Sequence, residues 1–128
     1  MASRSTYYCW HCYARNSEAT SACRVCGESI ESPPGTSYTD QLIWALGHPL
    51  AGRQMIAAQI LGQRGERAAE RPLRELVERG DPFLAAQALH SLVLIVGVDD
   101  LRDLLQDLVG SAPPAVSRVA SIALGQRP

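Results

Sequence analysis

All four cysteines of this chain fall into two pairs, Cys9-Trp10-His11-Cys12 and Cys23-Arg24-Val25-Cys26, with ten residues between them. A gap of two residues lets both thiolates of a pair reach one ion from a tight turn. Zn²⁺ takes four tetrahedral ligands at about 2.3 Å to sulfur, and two such knuckles facing each other supply the set. The spacing therefore predicts that Cys9, Cys12, Cys23 and Cys26 hold one structural Zn²⁺. Disulfides are the competing outcome. Zinc is favoured because the pattern is paired and Met1 to Tyr8 contain no apolar signal core. With four thiolates in place, no position is open for water, so the site is expected to be structural and not catalytic. Four thiolates also suit iron, so the ligand set is better specified than the metal.

These ligands must be positioned by a very small module, residues 1–30. The stretch from Tyr13 to Ala22 between the pairs is mostly small and polar. A fold of fewer than about 40 residues cannot be held by apolar burial alone. The metal must then supply folding energy, on the order of 10 kcal/mol. Gly27, directly after the last cysteine, suits the left-handed conformation that closes a knuckle. Asn16 suits a turn. The aromatic residues Tyr7, Tyr8, Trp10 and Tyr13 gather around the first knuckle and are expected to pack over the sulfurs as the core of the module. The functional alternative makes Tyr7 and Trp10 part of a partner-docking platform. His11 is expected to face solvent, since four cysteines already satisfy the metal.

Residues 7–26 resemble the Ran-binding-protein type zinc finger. Cys9, Cys12, Asn16, Cys23 and Cys26 match its spacing W-x-C-x2-C-x3-N-x6-C-x2-C, with Tyr7 where that family has its leading Trp. The resemblance implies zinc on all four cysteines. It does not carry over RNA or ubiquitin binding: Ala19 stands where the RNA-binding members have Arg, and Tyr13-Ala14 where the ubiquitin-binding members have Thr-Phe. Short bacterial zinc ribbons with C-x-x-C-G knuckles are also similar. Cys26-Gly27 matches them and Cys12-Tyr13 does not.

The whole chain, 128 residues with net charge −1, has room for one ordinary domain or two small ones. Its basic residues are all Arg, but the near-neutral balance is not that of a strongly basic nucleic-acid binder. No uninterrupted apolar run exceeds five residues, as in Leu92–Val96, whereas a membrane span needs about 20. A cytoplasmic location is expected, where thiolates stay reduced.

Glu31 to Ser37, with Pro33-Pro34-Gly35, reads as an extended linker over residues 31–37. Residues 38–128 then read as helical. Leu42, Ile43, Leu46 and Met55, Ile56, Ile60, Leu61 recur at three- and four-residue spacings, interrupted at Gly47-His48-Pro49. Asp81-Pro82 is a helix start, Gly80 and Gly97 are stops, Asp99-Asp100 and Pro113-Pro114 open the last two helices, and Pro72 should start or kink its helix. Ala57-Ala58-Gln59-Ile60-Leu61 recurs as Ala85-Ala86-Gln87-Ala88-Leu89. Leu61-Gly62-Gln63-Arg64 recurs as Leu124-Gly125-Gln126-Arg127. This repetition predicts a mainly α chain, a short α-solenoid of three helix pairs at about 38–64, 65–97 and 98–127.

The Asp-Pro start, the Ala-Ala-x-x-Leu second helix and the Leu-Gly stop resemble the HEAT-repeat family, particularly its short bacterial form related to phycobilin lyases. That resemblance implies a stack whose second helices form a docking surface. Polar positions there, Arg53, Gln54, Gln59, Gln87, His90 and Ser91, are the expected partner contacts. The last helix pair, with apolar Val116, Val119, Ala120, Ile122 and Ala123, offers a face for a possible homodimer or partner. Glu70–Arg74 and Glu75–Arg79 read as ordinary i,i+4 surface pairs. No nucleophile motif, phosphate loop or H-x-x-x-H pair is present. The expectation is a non-enzymatic adaptor for a protein partner, without membrane association. The alternatives are RNA or single-stranded DNA binding through Arg15, Arg24 and the aromatics, and an accessory role to a cofactor or chromophore lyase.

Overall fold

The computed structural model describes residues 7–16 and 21–125. The chain divides into two compact units, residues 1–40 and 41–128.

In the first unit, β1 (Tyr7–Tyr8) pairs antiparallel with β2 (Arg15–Asn16), Tyr7 opposite Asn16 and Tyr8 opposite Arg15. The first cysteine pair is thus the tip of a hairpin. The second pair is enclosed in the same way by an antiparallel bridge between Ala22 and Ser29. The chain then returns, and the Trp10 N–H donates to the Ile30 carbonyl at 3.0 Å. The buried core of this unit is Cys9, Cys23 and Ile30, with Ala14 packed against it. This corrects the expectation that the aromatic rings form the core: Tyr8, Trp10 and Tyr13 are only half-buried and Tyr7 is exposed.

The segment read as an extended linker is a turn. The Thr36 N–H donates to the Pro33 carbonyl at 3.2 Å, with Gly35 at φ 84°. Proline followed by a left-handed glycine is what a type II turn demands. Helix α1 (Tyr38–Ala45) starts with a reciprocal cap: Ser37 Oγ accepts from the Asp40 N–H at 3.0 Å and Asp40 Oδ2 accepts from the Ser37 N–H at 3.2 Å.

The second unit is helical. Helix α2 spans Ala51–Arg64, α3 Glu70–Arg79, α4 Pro82–Val96, α5 Val98–Ser111 and α6 Pro114–Ala123. The start of α4 is as its sequence predicts, with Asp81 Oδ1 accepting from the Phe83 and Leu84 N–H groups at 2.9 and 3.0 Å. Pro72 lies in the first turn of α3, behind a single 3-10 turn at Arg67–Ala69, where its missing N–H breaks no helical bond. One stop differs. Leu61-Gly62 does not end α2, which runs on to Arg64 and is capped by Gly65 at φ 65°.

The second helices form a layer, α4 packing against α2 on one side and α6 on the other, while α3 packs on α4 and α5 on α6. Two of the helix pairs that the repetition predicts, α3 with α4 and α5 with α6, stack in this way; the expected first pair does not form, because α1 makes no substantial packing contact with α2. Its core includes Leu61, Leu73, Leu89, Leu92, Leu101, Leu105 and Val116, all fully or almost fully buried. Helix α4 is buried around most of its circumference because it has neighbours on three sides, which accounts for its near-continuous apolar sequence. Among the described residues no helix is long and apolar enough to cross a membrane.

Candidate metal centre

Both knuckles are built by the same backbone device. The N–H of the residue after the second cysteine turns back to the carbonyl of the first: Tyr13 to Cys9 at 2.9 Å, Gly27 to Cys23 at 3.0 Å. Closing that turn requires a left-handed residue, and Tyr13 (φ 63°) and Gly27 (φ 77°) both supply it. Next, the N–H of each first cysteine donates across its loop, Cys9 to the Ala14 carbonyl at 3.0 Å and Cys23 to the Glu28 carbonyl at 2.7 Å. The first knuckle therefore adopts the same turn as the second despite lacking the glycine.

These turns aim four free thiols at one point. Cys9 Sγ lies 3.6 Å from Cys26 Sγ, and Cys12 Sγ 3.7 Å from Cys23 Sγ. All four sulfurs lie within 4.8 Å of one another. A tetrahedral centre with bonds of about 2.3 Å to sulfur has S···S edges of about 3.8 Å, so the two cross-knuckle edges already fit a metal ion. Cys9 and Cys23 are buried; Cys12 and Cys26 are exposed.

Donors surround the sulfurs. The His11 N–H reaches Cys9 Sγ and the Val25 N–H reaches Cys23 Sγ, each at 3.4 Å. Asn16 joins the two knuckles. Its Nδ2 donates to the Ala14 carbonyl at 3.1 Å and to Cys23 Sγ at 3.6 Å, while its Oδ1 accepts from the Arg24 N–H at 3.1 Å. The N–H groups of Cys26 and Val25, assisted by Asn16, pull the Cys23 thiol down to about 6. At Cys26 the Glu28 N–H acts in the same direction, but desolvation and the neighbouring thiols outweigh it and push the thiol up to about 12. A metal ion that replaces the shared protons relieves that competition. His11 is exposed, as expected of a residue outside the ligand set.

The residues expected to meet a partner are not all at the surface. Arg53, Gln59 and His90 are exposed. Gln54 is half-buried and its amide donates to the Leu46 carbonyl at 2.8 Å. Gln87 is half-buried and donates to Ser91 Oγ at 3.3 Å. Ser91 is a correction: it is fully buried, and its hydroxyl donates to the Ala58 carbonyl of α2 at 2.7 Å. Polarity suggested a surface position, but the hydroxyl serves the contact between two helices. Phe83 and Leu94, which polarity overlooked, are exposed; of the apolar face expected on the last helix, Ile122 is exposed but Val116 and Ala120 are buried in the core. Sequence reading also passed over His48, only 1 % exposed, whose Nδ1 accepts from the Leu50 N–H at 3.1 Å at the entry to α2.

Comparison of the chain with protein-family models, curated proteins and solved structures finds no match in any of the three.

Proposed function

We propose that this protein is a zinc-stabilised adaptor. In this reading Cys9, Cys12, Cys23 and Cys26 bind one Zn²⁺, which holds the N-terminal unit together and performs no chemistry. HEAT-like helix pairs then present their second helices to a protein partner in the cytoplasm. The observation that carries the reading is the closed cluster of four thiols, which leaves a tetrahedral ion no position for substrate or water. The helix-pair stack, with large apolar residues left exposed on its second helices, supports the docking role.

The test is metal content of protein purified without added metal, combined with native mass. One zinc per chain is expected. A metal-free protein whose cysteines oxidise readily would overturn the reading. A native mass of two chains would identify the partner face as a homodimer contact.

A second reading is nucleic-acid binding by the metal unit. It is favoured by one contact: Arg24 Nε donates to the Arg15 carbonyl at 3.0 Å, which holds two exposed Arg residues side by side. Binding to single-stranded RNA that weakens steeply with salt would support it.

A further inference from the structure

The charges of the helical unit are segregated between its two layers. Every Asp and Glu of residues 41–128 lies on α3, on α5 or in the turns at Glu66 and Asp81. The second helices α2, α4 and α6 contain none. Their ionisable residues are Arg53, Arg64, His90 and Arg118. Arg64 pairs with Glu66 at 3.2 Å. Arg53 and Arg118 pair with no carboxylate among the described residues. The Asp81 carboxylate, closest to this layer in sequence, is committed to the first turn of α4.

The same layer also exposes large apolar residues. Phe83, Gln87, His90 and Leu94 follow one another at i, i+4, i+7 and i+11 along the outer side of α4, with Phe83 74 % and Leu94 52 % exposed. On α6, Arg118 and Ile122 share a side at i,i+4, with Ile122 59 % exposed. Between the two helices runs a cavity of about 390 Å³ lined by His90, Val93, Val119, Ile122 and Ala123. It is a concave apolar seat with one fixed cation, Arg118, a helical turn from Ile122 on α6.

We propose that this groove between α4 and α6 binds an amphipathic helix of another protein, with apolar residues entering the cavity and acidic residues flanking them toward Arg118. The inference rests on the adaptor reading and adds the chemistry of the partner. Arg118 together with the absence of any carboxylate from the layer is what selects an acidic partner: a basic helix would meet Arg118 and no opposite charge. Helices α3 and α5 of a second copy do not supply such a segment, because their apolar sides are buried through Leu73 and Val77, and Leu101 and Leu105. A membrane surface would also suit apolar and basic residues together, but it does not fill a concave cavity.

Two synthetic helical peptides of about 18 residues test this, with identical Leu residues at i, i+3, i+4 and i+7. One carries Glu and the other Lys on the flanks. Titrated into the full zinc-loaded chain, the Glu peptide should bind at least about tenfold more tightly, and the preference should fade in 1 M salt, where charges are screened within about 3 Å. Ile122→Asp should abolish binding of the Glu peptide with unchanged helicity, since Ile122 is exposed. Arg118→Glu should shift the preference toward the Lys peptide. Equal binding of the two peptides, or a preference for Lys, overturns the acidic-partner inference and leaves the docking role standing. Binding of neither peptide overturns both the groove and the adaptor reading as assigned to these helices. If the chain instead binds anionic phosphatidylserine vesicles and Ile122→Asp abolishes that, the face is a membrane contact and the inference fails.

Discussion

Asn16 does the most work of any residue outside the four cysteines. It is 2 % exposed, and its amide satisfies a backbone carbonyl, a sulfur and a backbone N–H at once. Aspartate has the same shape and could keep the bond from the Arg24 N–H. It has no N–H to give to Ala14 or Cys23, and it brings a carboxylate against thiolate sulfur. Asn16→Asp should therefore lower metal affinity by about 10–100-fold, the usual cost of losing a group that orients a ligand. Competition with a chromophoric chelator measures this, and unchanged affinity would mean that the Asn16 contacts do not orient Cys23. His48 sets a separate, pH-dependent property. Burial, followed by the positive charge of Arg53, depresses its pKa below the ordinary 6.5. The unfolded chain then binds the proton more readily than the folded one. The stability contributed by neutral His48 is complete above about pH 6.5 and is lost as the pH falls through the depressed folded value. Asparagine can still accept from the Leu50 N–H but does not titrate. Urea unfolding at pH 7.5 and pH 5 should show a smaller acid loss for His48→Asn than for the natural chain.

At the scale of the elements, the contact between α2 and α4 depends on a missing side chain. A Cβ on Gly62 would lie 2.7 Å from Ser91 Cβ and 2.8 Å from Ser91 Cα. These atoms belong to or adjoin the backbone of α4, so the helices themselves would have to separate. Gly62→Ala should cost about 1–3 kcal/mol, as overpacking does. Gly52 in the same helix has nothing within 4 Å of the equivalent position. Gly52→Ala should be neutral or stabilise by up to about 1 kcal/mol, through helix propensity alone. The shift in urea midpoint should thus have opposite signs for one substitution made at two sites of α2. Equal shifts would show that the close approach at Ser91 does not limit the packing.

At the scale of the molecule, two units depend on different forces. The core of residues 1–40 is small, Cys9, Cys23 and Ile30, and two of its three members are proposed metal ligands. The core of residues 41–128 is a continuous aliphatic cluster from Leu42 to Ala120. Metal removal should therefore unfold the first unit alone. Excess chelator under reducing conditions should change the fluorescence of Trp10, measured in a Trp44→Phe variant, while the helical circular dichroism signal persists. Loss of helicity in step with metal release would instead tie the stability of the stack to the metal. A stack held by its own burial is also one in which Phe83, Leu94 and Ile122 can remain exposed without loss of the fold.

Local chemistry was legible in the sequence. The cysteine spacing led to four sulfurs that the structure gathers at one point, because a C-x-x-C turn allows little else. Asp81-Pro82 and Gly97 mark helix ends through caps that act within a few residues. The repeated Ala-Ala pairs led to stacked second helices. What the tertiary structure decided was how close and at what rotation these pieces meet. Hydrophobic period tells that a helix has a buried side, but not that Gly62 and Ser91 touch across 29 positions, so polarity placed Ser91 at the surface while the fold buries it. Nor could the turn signature C-x-x-C-G anticipate Tyr13 in a left-handed conformation, which is enforced by the bonds to Cys9 and Ala14 that close the first knuckle. The layer free of carboxylates was written in the sequence throughout, yet it became a surface only when packing brought α4 and α6 side by side.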